Sequence, residues 1–199
     1  ILDFMNKTDY GDFWCNPSFN IEAHLTEHSD VPVFLVGGWY DSWSRATVTH
    51  FSDLSKTKSG PIKLLMGPWT HGGHSNTNSG DVDFGPESRL DGNLAENFNE
   101  WLKSWFDYTL RGLENEMSSS PAVKLFVMGG GSGKKTPAGR LDHGGSWRDE
   151  QEWPLPQAIY TNYYIHKNGT LSRSTPSVNE SSTSYIFDPD NPVPTVGGN

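Results

Sequence analysis

The chain has 199 residues, 34% of them hydrophobic and 20% charged, a composition that suits one globular domain or two small ones. Its formal net charge of −9 repels polyanions and removes the counterion-release drive for nucleic-acid binding. The longest apolar run, Val31 to Val36, spans six residues and contains Pro32. A membrane-spanning helix needs roughly 20, so no membrane partner is expected and the chain is predicted to be soluble.

One cysteine, Cys15, allows neither an internal disulfide nor a thiolate metal cluster, and it leaves the compartment, cytoplasmic or secreted, open. The oligomeric state is equally open. The sequence begins at Ile1 without an initiator Met or a leader and stops just past a proline-rich turn. It is therefore expected to be a piece of a longer protein.

Residues 1–30 mix Phe4, Tyr10, Phe13, Trp14 and Phe19 with Asn, Asp and Gly at no clear period, which predicts irregular structure pinned by aromatics. The run 31–36 closed by Gly37 and Gly38 fits a strand buried on both faces, with Pro32 tolerated near its start. Ser42 to Lys56 carries Val48, Phe51 and Leu54 at helical spacing, with Ser42 or Ser44 as N-cap. Ile62 to Met66, followed by Gly67-Pro68, repeats the strand-then-turn pattern. Strand, helix and strand in this order make a βαβ unit with a right-handed crossover.

Over 91–112, Leu94, Phe98, Trp101, Leu102 and Trp105 trace the apolar face of a helix that Gly112 terminates. The polar stretch before Pro121 reads as a linker, so the sequence predicts a first domain over 1–117 and a second over 118–199. In the second, Val123, Leu125 and Val127 alternate, residues 160–165 are β-prone and Tyr185-Ile186-Phe187 is a short apolar run. Gly, Pro and Asn turns separate them, the pattern of an all-β module, with 168–184 as a loop.

Asp41 follows the first strand and His71 the second. In a parallel sheet both project at the same carboxyl edge, where open α/β folds bind ligands, and adjacent strands lie only about 4.8 Å apart. A carboxylate that accepts the imidazole Nδ1–H leaves Nε2 free as a general base, the orienter and base of a nucleophilic triad. The expected Asp41–His71 Nδ1 separation is about 2.6–3.2 Å. Each residue also has a plainer reading: an Asp after a strand is commonly a turn or N-cap residue, and a loop His is commonly just solvated. His74 competes for the base role.

The ordered set Val31 to Asp41, Gly67-Pro68-Trp69-Thr70-His71, Val82 to Pro86, Trp105-Phe106-Asp107 with Leu110-Arg111-Gly112, Trp147-Arg148, Trp153-Pro154, Asp188-Pro189 and Pro192 to Thr195 resembles the cocaine esterase/NonD group. That group belongs to the X-Pro dipeptidyl-peptidase class of α/β-hydrolases. The resemblance spans about residues 10–199. It implies a fold class of α/β: the C-terminal part of an α/β-hydrolase parallel sheet, followed by part of an all-β jelly-roll sandwich. It also implies that Asp41 is the triad acid, His71 the triad base and Trp43 a wall of the acyl pocket. The substrate would be a small ester, an amide or a short peptide, with no cofactor needed. The family's serine sits in an upstream Gly-x-Ser-Tyr-x-Gly elbow, and no serine here has glycine at both −2 and +2. The nucleophile is therefore expected upstream, and the chain by itself is expected to be inactive.

Other motifs carry less. Met128 to Lys135 has the glycines of a phosphate loop but neither its first Gly nor the Ser/Thr after Lys, and it reads as a β-turn. His71 and His74 with Asp81 or Asp83 are metal-ligand types, but no third ligand is placed and no metal site is assigned. Asn-x-Ser/Thr triplets at Asn6, Asn168 and Asn179 are common by chance. The alternative to a hydrolase is a non-catalytic jelly-roll binding module in which Asp41 and His71 are structural.

Overall fold

The computed structural model describes residues 2–177, 182, 184–193 and 196–198. Asn179, Pro194 and Thr195 therefore lie outside the described residues. Two compact units are present: residues 1–154 with 196–199, and residues 155–195.

The first unit is built around strands β1 (Val33–Gly38) and β2 (Ile62–Gly67), joined by helix α2 (Ser44–Thr57). A short helix α1 (Leu2–Asn6) precedes them. The two strands are parallel, with Val33 opposite Ile62 and Gly38 opposite Gly67. Side chains alternate across β1, so Val33 and Leu35 pack with Phe51, Leu54, Leu64 and Met66 on the α2 face. Phe34 and Val36 pack on the other face, against Trp101, Trp105 and Leu65. Every residue of β2 is buried, Lys63 included, as in a strand covered on both sides.

Helix α3 (Phe98–Arg111) supplies the second cover. Trp101 and Trp105 are buried, and the Phe34 ring lies 4.3 Å and 5.2 Å from them, centroid to centroid. The helix starts later than the predicted residue 91, because Asn97 caps it by accepting from the Asn99 and Glu100 N–H groups. Gly92, with φ +79, holds a turn before it. Gly112 closes the helix with φ +66, as predicted.

Helix α4 (Glu116–Ser119) follows. Buried Lys63 of β2 reaches it, donating from Nζ to the carbonyls of Met117 (2.5 Å) and Ser120 (2.8 Å) and to Ser120 Oγ (2.5 Å). Burial pushes its ammonium below the ordinary lysine pKa, and these acceptors are what let the charged form persist.

The expected change of architecture at 117/118 does not coincide with a break in packing. Between β2 and the end of this unit come two-residue strands β3 (Asn78–Ser79) and β4 (Val82–Asp83), then β5 (Val123–Met128), β6 (Leu141–Asp142) and β7 (Gly145–Glu150). Strand β5 pairs in parallel with β2, and β7 pairs antiparallel with β5, giving one mixed sheet in the order β1-β2-β5-β7. Val123 and Leu125 join the core formed by Leu64 and Met66. Alternation identified a strand here but not the sheet it would join.

In the second unit β8 (Tyr164–Ile165) and β9 (Leu171–Ser172) form a hairpin, so part of the predicted 168–184 loop is strand. Tyr185, Ile186 and Phe187 are exposed and form no strand. No helix among the described residues is long and apolar enough to cross a membrane.

Candidate active site

Both candidate residues lie on turns that leave the carboxyl ends of β1 and β2. Two backbone bonds hold these turns together: Trp39 N–H donates to Gly67 C=O at 2.9 Å and Tyr40 N–H to Trp69 C=O at 3.1 Å. Such close approach needs glycine at the strand ends. A Cβ on Gly38 would stand 2.0 Å from the Trp69 carbonyl oxygen, and one on Gly67 would stand 2.3 Å from the Trp69 ring.

Asp41 divides its two oxygens. Oδ1 accepts the Trp43 N–H at 2.9 Å, closing its own turn, and Oδ2 lies 3.0 Å from His71 Nδ1. The turn role and the imidazole-binding role thus coexist in one carboxylate. Its side chain is 10% exposed, whereas that of His71 is 72% exposed. With Oδ2 accepting from Nδ1–H, the His71 tautomer leaves Nε2 outward with a lone pair and no protein partner among the described residues.

The predicted serine cap of α2 is absent, and Trp43 occupies the N-cap position without a side-chain bond. Ser44 instead turns its hydroxyl back to the carbonyls of Gly38 (2.5 Å) and Asp41 (2.6 Å), which fastens the acid turn to the strand it leaves. Arg45 reaches Glu22 with two bonds of 2.9 Å each and holds the Glu22 carboxyl below its ordinary pKa. This pair ties the single-turn helix at 21–24 to the start of α2.

Asp41, Trp43 and His71 border one depression of about 230 Å³. Thr47, Thr70, His74 and Phe98 share it; of these, sequence reasoning singled out only His74 for this site. Phe98 was legible as helix stripe and not as site, because its ring lies where α3 begins, under His74. Trp43 is 62% exposed. His74 does not contact Asp41: its Nδ1 lies 3.1 Å from Ser75 Oγ. Asp83 accepts from the Gly85 N–H at 2.8 Å, and among the described residues no group of three or more His, Cys, Asp or Glu is placed to hold a metal.

The comparisons with known proteins divide the chain in two. Residues 2–73 match the family model described as X-Pro dipeptidyl-peptidase (S15 family), and residues 115–193 match X-Pro dipeptidyl-peptidase C-terminal non-catalytic domain. The chain is similar to the cocaine esterase of Rhodococcus sp. (strain MB1 Bresler), with 31% identity over 175 residues, 84% of this chain and 27% of the esterase. Among solved structures it resembles a CocE/NonD family hydrolase from Staphylococcus aureus, at 18% identity and a TM-score of 0.56 over 87% of this chain and 26% of that one. A second structure of that hydrolase gives 0.54. These likenesses show an α/β-hydrolase-like fold, and the chain spans about a quarter of the length of the relatives it matches.

Proposed function

We propose, because the chain belongs to the CocE/NonD group of S15 hydrolases, that it supplies the acid and the base of a serine hydrolase cleaving ester or amide bonds, acyl or X-Pro dipeptidyl. The observation that carries this reading is the 3.0 Å contact between Asp41 Oδ2 and His71 Nδ1 at the edge where both parallel strands end. An upstream serine attacks the scissile carbonyl. His71 Nε2 takes its proton and returns it to the leaving group, and Asp41 stabilises the imidazolium formed between those steps. The oxyanion donors lie upstream with the serine. Trp43, beside the acid, walls the acyl pocket, and the substrate is a small ester, an amide or a short peptide.

Residues 1–117 are on this reading the end of the catalytic domain, and 118–199 begin a jelly-roll sandwich. The match of 115–193 to a non-catalytic domain supports that division. Strands β5 and β7 are then the place where the second domain continues the sheet of the first.

The test is labelling of the full-length gene product by a fluorophosphonate probe. A serine hydrolase reacts at one upstream serine, and His71→Ala suppresses the reaction. A binding module with structural Asp41 and His71 does not label at all.

A further inference from the structure

The mechanism above leaves His74 without a task, although it borders the same depression as Asp41, His71 and Trp43. Its ring lies flat on Phe98, with centroids 4.3 Å apart and planes 19° apart. Nδ1 lies 3.1 Å from Ser75 Oγ, and Ser75 donates its hydroxyl to Asp91 Oδ2 at 2.5 Å. A serine hydroxyl has one proton and an ionised carboxylate only accepts. With that proton directed at Asp91, Ser75 Oγ must accept from His74, so Nδ1 carries hydrogen and the lone pair of the neutral ring is on Nε2. That nitrogen has no protein partner among the described residues and is not among the buried unpaired atoms, so it opens to solvent.

Asp91 gives this chain of bonds its direction. Ser75 is the only donor its carboxylate meets among the described residues, and Oδ1 is buried with no hydrogen-bond partner. Asp91 Oδ2 is thus the acceptor that orients the Ser75 hydroxyl, and through it the tautomer of His74.

We propose that His74 is a specificity-determining residue: its Nε2 accepts a hydrogen bond from an N–H or O–H on the acyl group of the substrate, with Ser75 and Asp91 as positioning residues. This rests on reading the Asp41–His71 depression as a hydrolase site, and the acyl side follows from Trp43 sharing that depression. A phenyl ring at this position would select by shape alone, and the opposite tautomer would present a donor. A fixed acceptor instead penalises an acyl group that brings nothing to bond.

The experiment compares kcat/KM of the full-length enzyme on two nitrophenyl esters of matched shape, 2-hydroxypropanoyl and 2-methylpropanoyl, each corrected for its alkaline hydrolysis rate. The hydroxyl-to-methyl ratio is expected to fall about 2- to 10-fold in His74→Phe, which keeps a ring on Phe98 but has no acceptor. Ser75→Ala moves the ratio the same way and Ser75→Thr, which keeps the hydroxyl, restores it; a merely structural role would shift both esters together. Ser75 is exposed, so its variants carry the test should His74→Phe fail to fold. An unchanged ratio in these variants, with turnover still dependent on His71, overturns the inference alone. Turnover that ignores His71 overturns the hydrolase reading, and the inference with it.

Discussion

Tyr40 and Trp69 are joined main chain to main chain, the Tyr40 N–H donating to the Trp69 carbonyl at 3.1 Å. Each stands near the residue that matters on its own turn, Asp41 on one and His71 on the other. This bond holds the turn that carries Asp41 against the turn that carries His71. It exists because Gly38 has no Cβ, the space a Cβ would fill being taken by the same carbonyl oxygen.

Gly38→Ala should therefore part the two turns. At a permissive site Gly→Ala stabilises by about 0.4–1 kcal/mol; here overpacking should reverse the sign and cost about 1–3 kcal/mol or more. Denaturant unfolding reads the stability, and a structure of the variant should show Asp41 Oδ2 withdrawn from His71. A stabilised variant with the contact intact would contradict the argument.

The apolar stripe of α3 gives a larger effect. Trp101 and Trp105 are 4% and 5% exposed and cover Phe34, so truncating either to Ala should cost about 3–5 kcal/mol. Losses under about 0.5 kcal/mol, the range of surface changes, would show that the stripe does not bear on the sheet.

What the sequence made legible was local. Apolar runs closed by glycines identified β1 and β2, and two residues placed just after parallel strand ends had to come close. Less legible was whatever depended on partners far along the chain. Val123 to Val127 showed a strand, but its pairing with β2, some 60 residues earlier, leaves no local mark. Lys63 interrupts an apolar run and is buried all the same, because Met117 and Ser120 bring acceptors to it. Cap chemistry misled twice: Asn97 moved the start of α3, and Ser44 spent its hydroxyl on the acid turn instead of on its own helix. At the site, Asp41 and His71 were legible as a pair, whereas Phe98 and the threonines depended on packing.

Trp43 offers a test of pocket against core. Its backbone N–H holds Asp41, and the residue, 62% exposed, borders the depression. In the full-length protein Trp43→Ala is expected to change the ratio of rates on bulky and small acyl esters and to move stability by no more than about 0.5 kcal/mol. An unchanged ratio would remove the side chain from the acyl pocket.

The Glu22–Arg45 pair predicts an acid-side dependence. The two Arg45 hydrogen bonds hold the Glu22 pKa below its ordinary 4.5. The folded state binds this proton less readily than the unfolded chain, so the contribution is complete above pH 4.5 and disappears as pH falls through the folded value. Both side chains are more than a third exposed, so the effect is small and weakens with salt. NMR titration should show the Glu22 midpoint returning towards 4.5 in Arg45→Gln. A midpoint that does not move would assign the shift to another cause.

The proposed joint action of Asp41 and His71, as acid and base on a serine outside this chain, is tested by hydrolysis of a nitrophenyl ester by the full-length protein as wild type, His71→Ala and Asp41→Asn. Each substitution is expected to lower kcat by about 10⁴-fold or more, and the double variant to lose little beyond the worse single one, because residues of a triad work as a unit. Single variants that keep kcat within about tenfold of wild type, or losses that multiply in the double variant, would contradict it.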